Sequence, residues 1–235
     1  MRSFPRGQKS ALSLEEVIRQ SAWGSSLSDD VVLRVADATE RRHVAAGAFV
    51  VRAGVRASHW IGLLEGFVKM SITSRDGRLS TLSGLASGAW FGEGTLMKAE
   101  ERRYDVLALR DSTLAFVPAE TFEWLRQTSI PFNHYLQRLM NARMSLFIGL
   151  LEHDRLLDVE SRVAHALASL IDPDLYPFAS DVVQLNQDEV GLLANVSRQR
   201  ANVALQTLQE AGLITLERGG LRILDLGRLR AFAAS

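Results

Sequence analysis

Cysteine is absent from all 235 residues. That excludes disulfides, thiolate catalysis, cysteine-ligated iron–sulfur clusters and zinc ribbons together. No apolar run approaches the ~20 residues that a membrane-spanning helix needs. The opening MRSFPRGQKS is charged but lacks the apolar segment of a secretory signal, so it reads as a disordered start. The expectation is a cytoplasmic protein without membrane contact. Net charge is missing too, 27 basic residues balancing 27 acidic. His43, His59, His134, His153 and His165 are scattered without metal-ligand spacing, so no metal site is expected. Only a haem axial ligand, which needs one or two histidines, would suit His134 or His153. No nucleophile–base pair, paired carboxylate or phosphate-cradling glycine loop stands out. Phe91-Gly92-Glu93-Gly94 lacks the βαβ setting that such a loop requires. An enzyme is not expected. Internal repeats and low-complexity tracts are absent as well.

What is present is concentrated in Leu185 to Leu208, LNQDEVGLLANVSRQRANVALQTL. Asn186 followed by Glu189 makes a capping-box pattern at a helix start. Val190, Leu193 and Ala194 would face inward, and Gly191 permits close approach of a second helix. Asn195 tolerates the left-handed conformation of a tight turn, and Val196 follows as a buried plug. Ser197 can cap a second helix that carries Ala201, Ala204, Leu205 and Leu208 on one face. This is the spacing of a helix-turn-helix. Arg198, Gln199, Arg200 and Asn202 crowd the start of the second helix, where side chains reach base edges. Arg pairs with guanine, Gln or Asn with adenine. No acid lies between Val190 and Gln209. Gln187 and Ser197 complete the expected DNA-contacting set with Arg218. From Leu156 onward there are 7 Arg and 10 acidic residues, which argues for modest non-specific affinity. The alternative is a solvated helix start in a ligand-binding module that assembles with a protein partner.

With 47% hydrophobic residues, the chain can support two domains with their own cores. Leu14–Ile18 and Asp29–Ala36 read as short amphipathic helices. From Arg41 to Val117 the texture is short β-runs broken by turns, with strands expected at 49–51, 60–64, 67–72, 79–82, 105–109 and 113–117. Glu65-Gly66 and Asp76-Gly77 are expected to close hairpins. Such spacing suggests an antiparallel jelly roll. Pro118 opens a short helix, and Pro131 fits the first turn of a long one, to about His153, roughly 35 Å. The long helix carries two apolar stripes. One is Phe132, Leu136, Leu139, Ala142, Leu146 and Leu150, the other Met140, Met144, Phe147, Ile148 and Leu151. Either both pack on their own domain, or one packs on the same helix of a second subunit. We favour the dimer, and charges at Leu139 and Leu146 are expected to break it. Asp154–Asp158 would be a hinge, Val159–Ile171 a helix, and 213–216 with 221–224 a hairpin wing tipped by Arg218. The fold class is α+β: a jelly-roll domain at 1–128, the long dimerisation helix and hinge at 129–157, and a winged helix-turn-helix domain at 158–235.

This order of parts resembles the Crp/Fnr family of bacterial transcription regulators over nearly the whole chain. The matching pieces are Gly47, Gly54, Leu64 to Lys69, Asp76-Gly77-Arg78, Gly88 to Glu93, Pro118 to Phe122, Asp158 to Ala164 and Ser197 to Arg200. The resemblance implies a homodimer on inverted-repeat double-stranded DNA, allosteric control by a small effector in the jelly roll, and contact with RNA polymerase if the protein is an activator. It also implies an effector site at Gly92, Glu93, Gly94, Thr95, Arg102, Arg103, Phe147 and Ile148. In family members that bind cyclic nucleotides, the Glu holds a ribose hydroxyl, while the Arg and a following Ser or Thr hold the phosphate. Here Arg103 stands in the Ser/Thr place, and Phe147-Ile148 replace the polar pair facing adenine. Cyclic AMP is therefore not the expected effector. A small anion with an apolar body, or no ligand, fits better, and Glu93 and Arg102 could instead pair with each other.

Overall fold

In this computed structural model the described residues are 12–74, 76–77, 79–156, 158–176 and 181–234, without the side chains of 150–156. The expected disorder of residues 1–10 and the side chains of Leu150, Leu151, His153 and Asp154 lie outside that set. Two N-terminal helices, α1 (Leu14–Gln20) and α2 (Asp29–Ala38), precede eight strands. A Ser13–Glu16 capping box starts α1. The strands are β1 (Glu40–Val44), β2 (Phe49–Val51), β3 (His59–Glu65), β4 (Phe67–Thr73), β5 (Leu79–Ala86), β6 (Trp90–Phe91), β7 (Asp105–Ala108) and β8 (Ser112–Pro118). They form two antiparallel four-stranded sheets, ordered β1-β8-β3-β6 and β2-β7-β4-β5. This is the expected jelly roll, with β1 and β6 as additions. β1 escapes sequence reading because ERRHV shows no apolar alternation, and β6 because it is two residues long.

One expected hairpin is a corner instead. β3 and β4 belong to different sheets, so Glu65-Gly66 carries the chain from one layer to the other. Gly66 has φ 110°, and a Cβ there would stand 2.2 Å from Ser112 Oγ. Asp76-Gly77 does close the antiparallel β4–β5 hairpin.

A core of rings joins the sheets to the helices. Trp60 and Trp90 lie 4.4 Å apart, and Trp23, Phe122, Phe132 and Tyr135 pack around them. At 25 cal/mol per Å² each such ring contributes on the order of 4 kcal/mol before entropy. A short helix α3 (Glu93–Lys98) follows β6, and α4 (Ala119–Thr128) leads into α5 (Ile130–Leu156). Pro131 sits in the first turn of α5, as expected. The helix continues through Asp154–Leu156, inside the anticipated hinge of Asp154–Asp158. Phe132, Leu136, Leu139 and Leu146 are buried against the chain's own core, whereas Met140, Met144 and Ile148 are exposed. Leu139 and Leu146 are thus the wrong positions at which to break a dimer.

The C-terminal domain comprises α6 (Val159–Ser169), β9 (Val182–Val183), α7 (Gln187–Leu193), α8 (Arg198–Glu210), β10 (Ile214–Glu217), β11 (Gly220–Ile223) and α9 (Leu226–Ala233). Asp158 caps α6, its Oδ1 accepting from the Ser161 N–H at 2.8 Å. The wing is three-stranded, ordered β10-β11-β9.

Candidate nucleic-acid interface and effector cavity

The capping residues direct the helix-turn-helix. Asn186 Oδ1 accepts from the Glu189 N–H at 2.9 Å, and Glu189 Oε2 accepts from the Asn186 N–H at 2.8 Å, closing the capping box of α7. Asn195 takes φ 53°, the left-handed turn conformation. A Cβ on Gly191 would meet the Val196 carbonyl oxygen at 2.9 Å, so the turn closes tightly only over glycine. Val196 itself is half-buried. Ser197 Oγ accepts from the Arg200 N–H at 3.3 Å and starts α8. Ala201, Ala204, Leu205 and Leu208 anchor α8 in the core, leaving Arg198, Gln199 and Arg200 exposed. Gln187 Nε2 donates to Asn202 Oδ1 at 2.7 Å, tying two expected DNA-contacting side chains together across α7 and α8. Arg218 is exposed in the turn between β10 and β11. Folding also brings Asp188 to this surface, 3.4 Å from Arg198 Nη1. The acid-free run in the chain is therefore not acid-free in space.

The second site lies between the jelly roll and α5. Gly92, at φ 98°, turns β6 into α3, and a Cβ there would stand 2.9 Å from Arg102 Nη1. Arg102 is buried and committed locally, Nη2 donating to the His59 carbonyl at 2.9 Å and Nη1 to the Tyr104 hydroxyl at 3.5 Å. Glu93, 3% exposed, pairs with Arg143 rather than Arg102, Oε1 to Nη1 at 3.3 Å. Its Oε2 has no hydrogen-bond partner among the described residues. Arg143 also donates to the Trp90 carbonyl. Sequence reading missed Arg143, although its place four residues after Leu139 and three before Leu146 puts a cation on the inner stripe. Burial, then the nearby Glu93 charge, pushes the Tyr135 phenol above its ordinary range.

Phe147 lines the cavity with Met70, Ser83, Leu85, Arg143 and Leu146, and Leu175 and Tyr176 close it. Gly94 and Thr95 are half-buried in α3. The structure gathers Gly92, Glu93 and Arg102, which lie beside the cavity rather than in its lining, and Arg143, paired with Glu93, links them to Phe147. It does not bring Arg103 or Ile148 to them. The Arg103 side chain is 82% exposed and reaches Glu100 at 3.4 Å, while Ile148 shares the outer face of α5 with Met144. Among the described residues no group of three or more His, Asp or Glu could hold a metal ion, and no helix is long and apolar enough to cross a membrane.

A jelly roll with a cavity against a long helix, followed by a winged helix-turn-helix with an exposed basic helix start, defines an effector-controlled DNA-binding transcription regulator. Residues 41–129 match the family model for the cyclic nucleotide-binding domain, and residues 161–232 that for the Crp-like helix-turn-helix domain. The chain is similar to the cAMP-activated global transcriptional regulator Vfr of Pseudomonas aeruginosa, 28% identical over 180 residues, 74% of this chain and 84% of that protein. It is also similar to the Cyclic AMP receptor protein of Thermus thermophilus, 29% identical over 155 residues, 65% of this chain and 68% of the other. In fold it matches FixK2 from Bradyrhizobium japonicum with a TM-score of 0.69 at 15% identity, covering 84% of this chain and 98% of that one. The chain belongs to the Crp/Fnr family of transcription regulators.

Proposed function

We propose that the protein is a cytoplasmic, non-enzymatic regulator that binds an inverted-repeat operator as a homodimer and responds to a small effector other than cyclic AMP. The observation that carries the DNA reading is the Ser197-capped start of α8, with Arg198, Gln199 and Arg200 exposed together and Arg218 on the wing. Arg198 and Gln199 read bases, Arg200 and Arg218 hold phosphates, and RNA polymerase is the further partner if the protein activates. Dimerisation is supported by the exposed stripe of Met140, Met144 and Ile148 on the outer face of α5.

The effector reading is supported by the buried Glu93, whose Oε2 is free to accept from a ligand hydroxyl. Against cyclic AMP stand the apolar Phe147 wall, the outward Arg103 and an Arg102 already bonded to His59 and Tyr104. Fluorescence anisotropy with duplexes selected from a random pool, repeated across salt concentrations, tests the DNA reading. Absence of any selected sequence would overturn it. Titration calorimetry with cyclic AMP and cyclic GMP tests the effector reading: no heat and no change in duplex affinity are expected, whereas micromolar binding that tightens DNA would refute it.

A further inference from the structure

The cavity beside α5 is lined on one side by Leu175 and Tyr176, which follow α6 in the chain. Tyr176, on the loop after α6, is buried, and its hydroxyl donates to the Gly84 carbonyl at 2.5 Å, 3.4 Å from Ser83 Oγ. With Tyr176 and Leu175 in place the cavity keeps about 10 Å³. That is at the lower limit for a single water, so no drug-sized ligand enters without moving them.

The same strand is held from its other side. Gly84 pairs with Lys69 across β5 and β4, and a Cβ on Gly84 would stand 2.7 Å from Leu193 Cδ2 of α7. β5 is an edge strand, and Asn195 in the helix-turn-helix turn pairs with Thr81 on it. The Thr81 N–H donates to Asn195 Oδ1 at 3.1 Å, and Asn195 Nδ2 donates to the Thr81 carbonyl at 3.4 Å. A third contact comes from Arg110, in the loop between β7 and β8. Its Nη2 donates to both Glu189 oxygens, at 2.7 and 2.8 Å, and to the Gln184 carbonyl at 2.7 Å. In a helix-turn-helix the first helix crosses the phosphate backbone. Here the jelly roll covers the start of that helix.

We infer that Tyr176 is a built-in occupant of the effector cavity, and that an effector acts by displacing it and so releasing the helix-turn-helix from β5. The inference rests on the reading of the protein as an effector-controlled DNA binder. The ligand that competes is one that replaces a phenol: an apolar body with a hydroxyl or amine to donate to the Gly84 carbonyl, and an anionic group within reach of Arg143. The element with two arrangements is the C-terminal domain, latched or free, and a ligand biases it only through its preference for the empty cavity.

Two single variants of the full chain, Tyr176→Phe and Gly84→Ala, test this. The first removes the phenol donor and keeps the ring. The second keeps the Gly84 carbonyl and drives a methyl against Phe67 Cζ at 2.6 Å and Leu193 Cδ2 at 2.7 Å, leaving the phenol and α8 unaltered. Melting curves select preparations that stay folded. Amide hydrogen exchange at Thr81 reads the latch without DNA, and anisotropy with a duplex selected by the unmodified chain reads its consequence. The loss of one buried hydrogen bond predicts about fivefold faster exchange and about fivefold tighter DNA binding in Tyr176→Phe, with Gly84→Ala changing both in the same direction. Unchanged exchange in both variants overturns the latch whatever the DNA result. Faster exchange with unchanged or weaker binding overturns the coupling, while a successfully selected duplex leaves the DNA-binding reading standing. If no duplex is selected, that reading fails, and exchange alone decides whether Tyr176 holds the domain.

Discussion

Arg198 stands at the start of α8 with Asp188 beside it in the free chain and a base edge as its proposed partner in the complex. Both side chains are largely exposed, so the pair adds little stability. Its effect is on where positive charge is available. Arg198→Ala should weaken binding to the selected duplex by ~1–3 kcal/mol and relax preference at one position, measured by anisotropy on a panel of single-base variants. Asp188→Asn should instead tighten binding to all sequences alike. The capping and turn roles of Asn186, Glu189, Ser197 and Asn195 were legible in sequence because they act within four positions, whereas the contacts of Asn195 with Thr81 and of Glu189 with Arg110 were not. Asp188 against Arg198 and Arg143 against Glu93 were not, since each needs two helices brought together. His59 supplies a pH test. Burial first, then the charges of Arg42 and Arg102, hold its imidazole below the ordinary 6.5, with Glu40 opposing. Its contribution is full above 6.5 and falls away as pH drops from there through the depressed folded value. Thermal melts should weaken over that window, and less so in His59→Gln.

At the level of elements, α5 divides most of its apolar residues between two faces. Phe132, Leu136, Leu139 and Leu146 pack on the jelly roll and Phe147 lines the cavity, whereas Met140, Met144 and Ile148 are exposed among the described residues. Charging the outer stripe with Met144→Asp and Ile148→Asp should leave the melting temperature nearly unchanged and convert a dimer to a monomer in sedimentation velocity. Leu139→Ala should instead cost ~2–5 kcal/mol of stability, because it empties a packed site in the subunit core. The two stripes were visible in the sequence as three-four spacing, but not which of them faces the jelly roll. That choice is made by the ring cluster around Trp60, which pulls Phe132 and Tyr135 inward and fixes the rotation of the helix. The strands were legible where apolar residues run or alternate. Gly66 misled as a hairpin turn because a corner between layers and a turn within one both require glycine at positive φ.

For the molecule as a whole, zero net charge means that DNA affinity depends on a few placed arginines rather than on a general field. With Arg200 and Arg218 as phosphate contacts in each of two subunits, the logarithm of affinity should fall with the logarithm of salt at a slope on the order of −4. Arg218→Ala should flatten that slope by roughly 2 for the dimer, as salt titration would show. The placement of the rings has a separate, optical consequence. The four tryptophans, Trp23, Trp60, Trp90 and Trp124, all belong to the jelly-roll side, and the winged domain carries none. Indole emission therefore reports on one domain, while far-ultraviolet dichroism reports on the helices of both. If the contacts through Tyr176, Asn195 and Arg110 bind the two halves into one cooperative unit, the two signals will trace a single denaturation curve. Once those contacts are released the curves will separate, and the winged domain will melt unseen by the light of its neighbour.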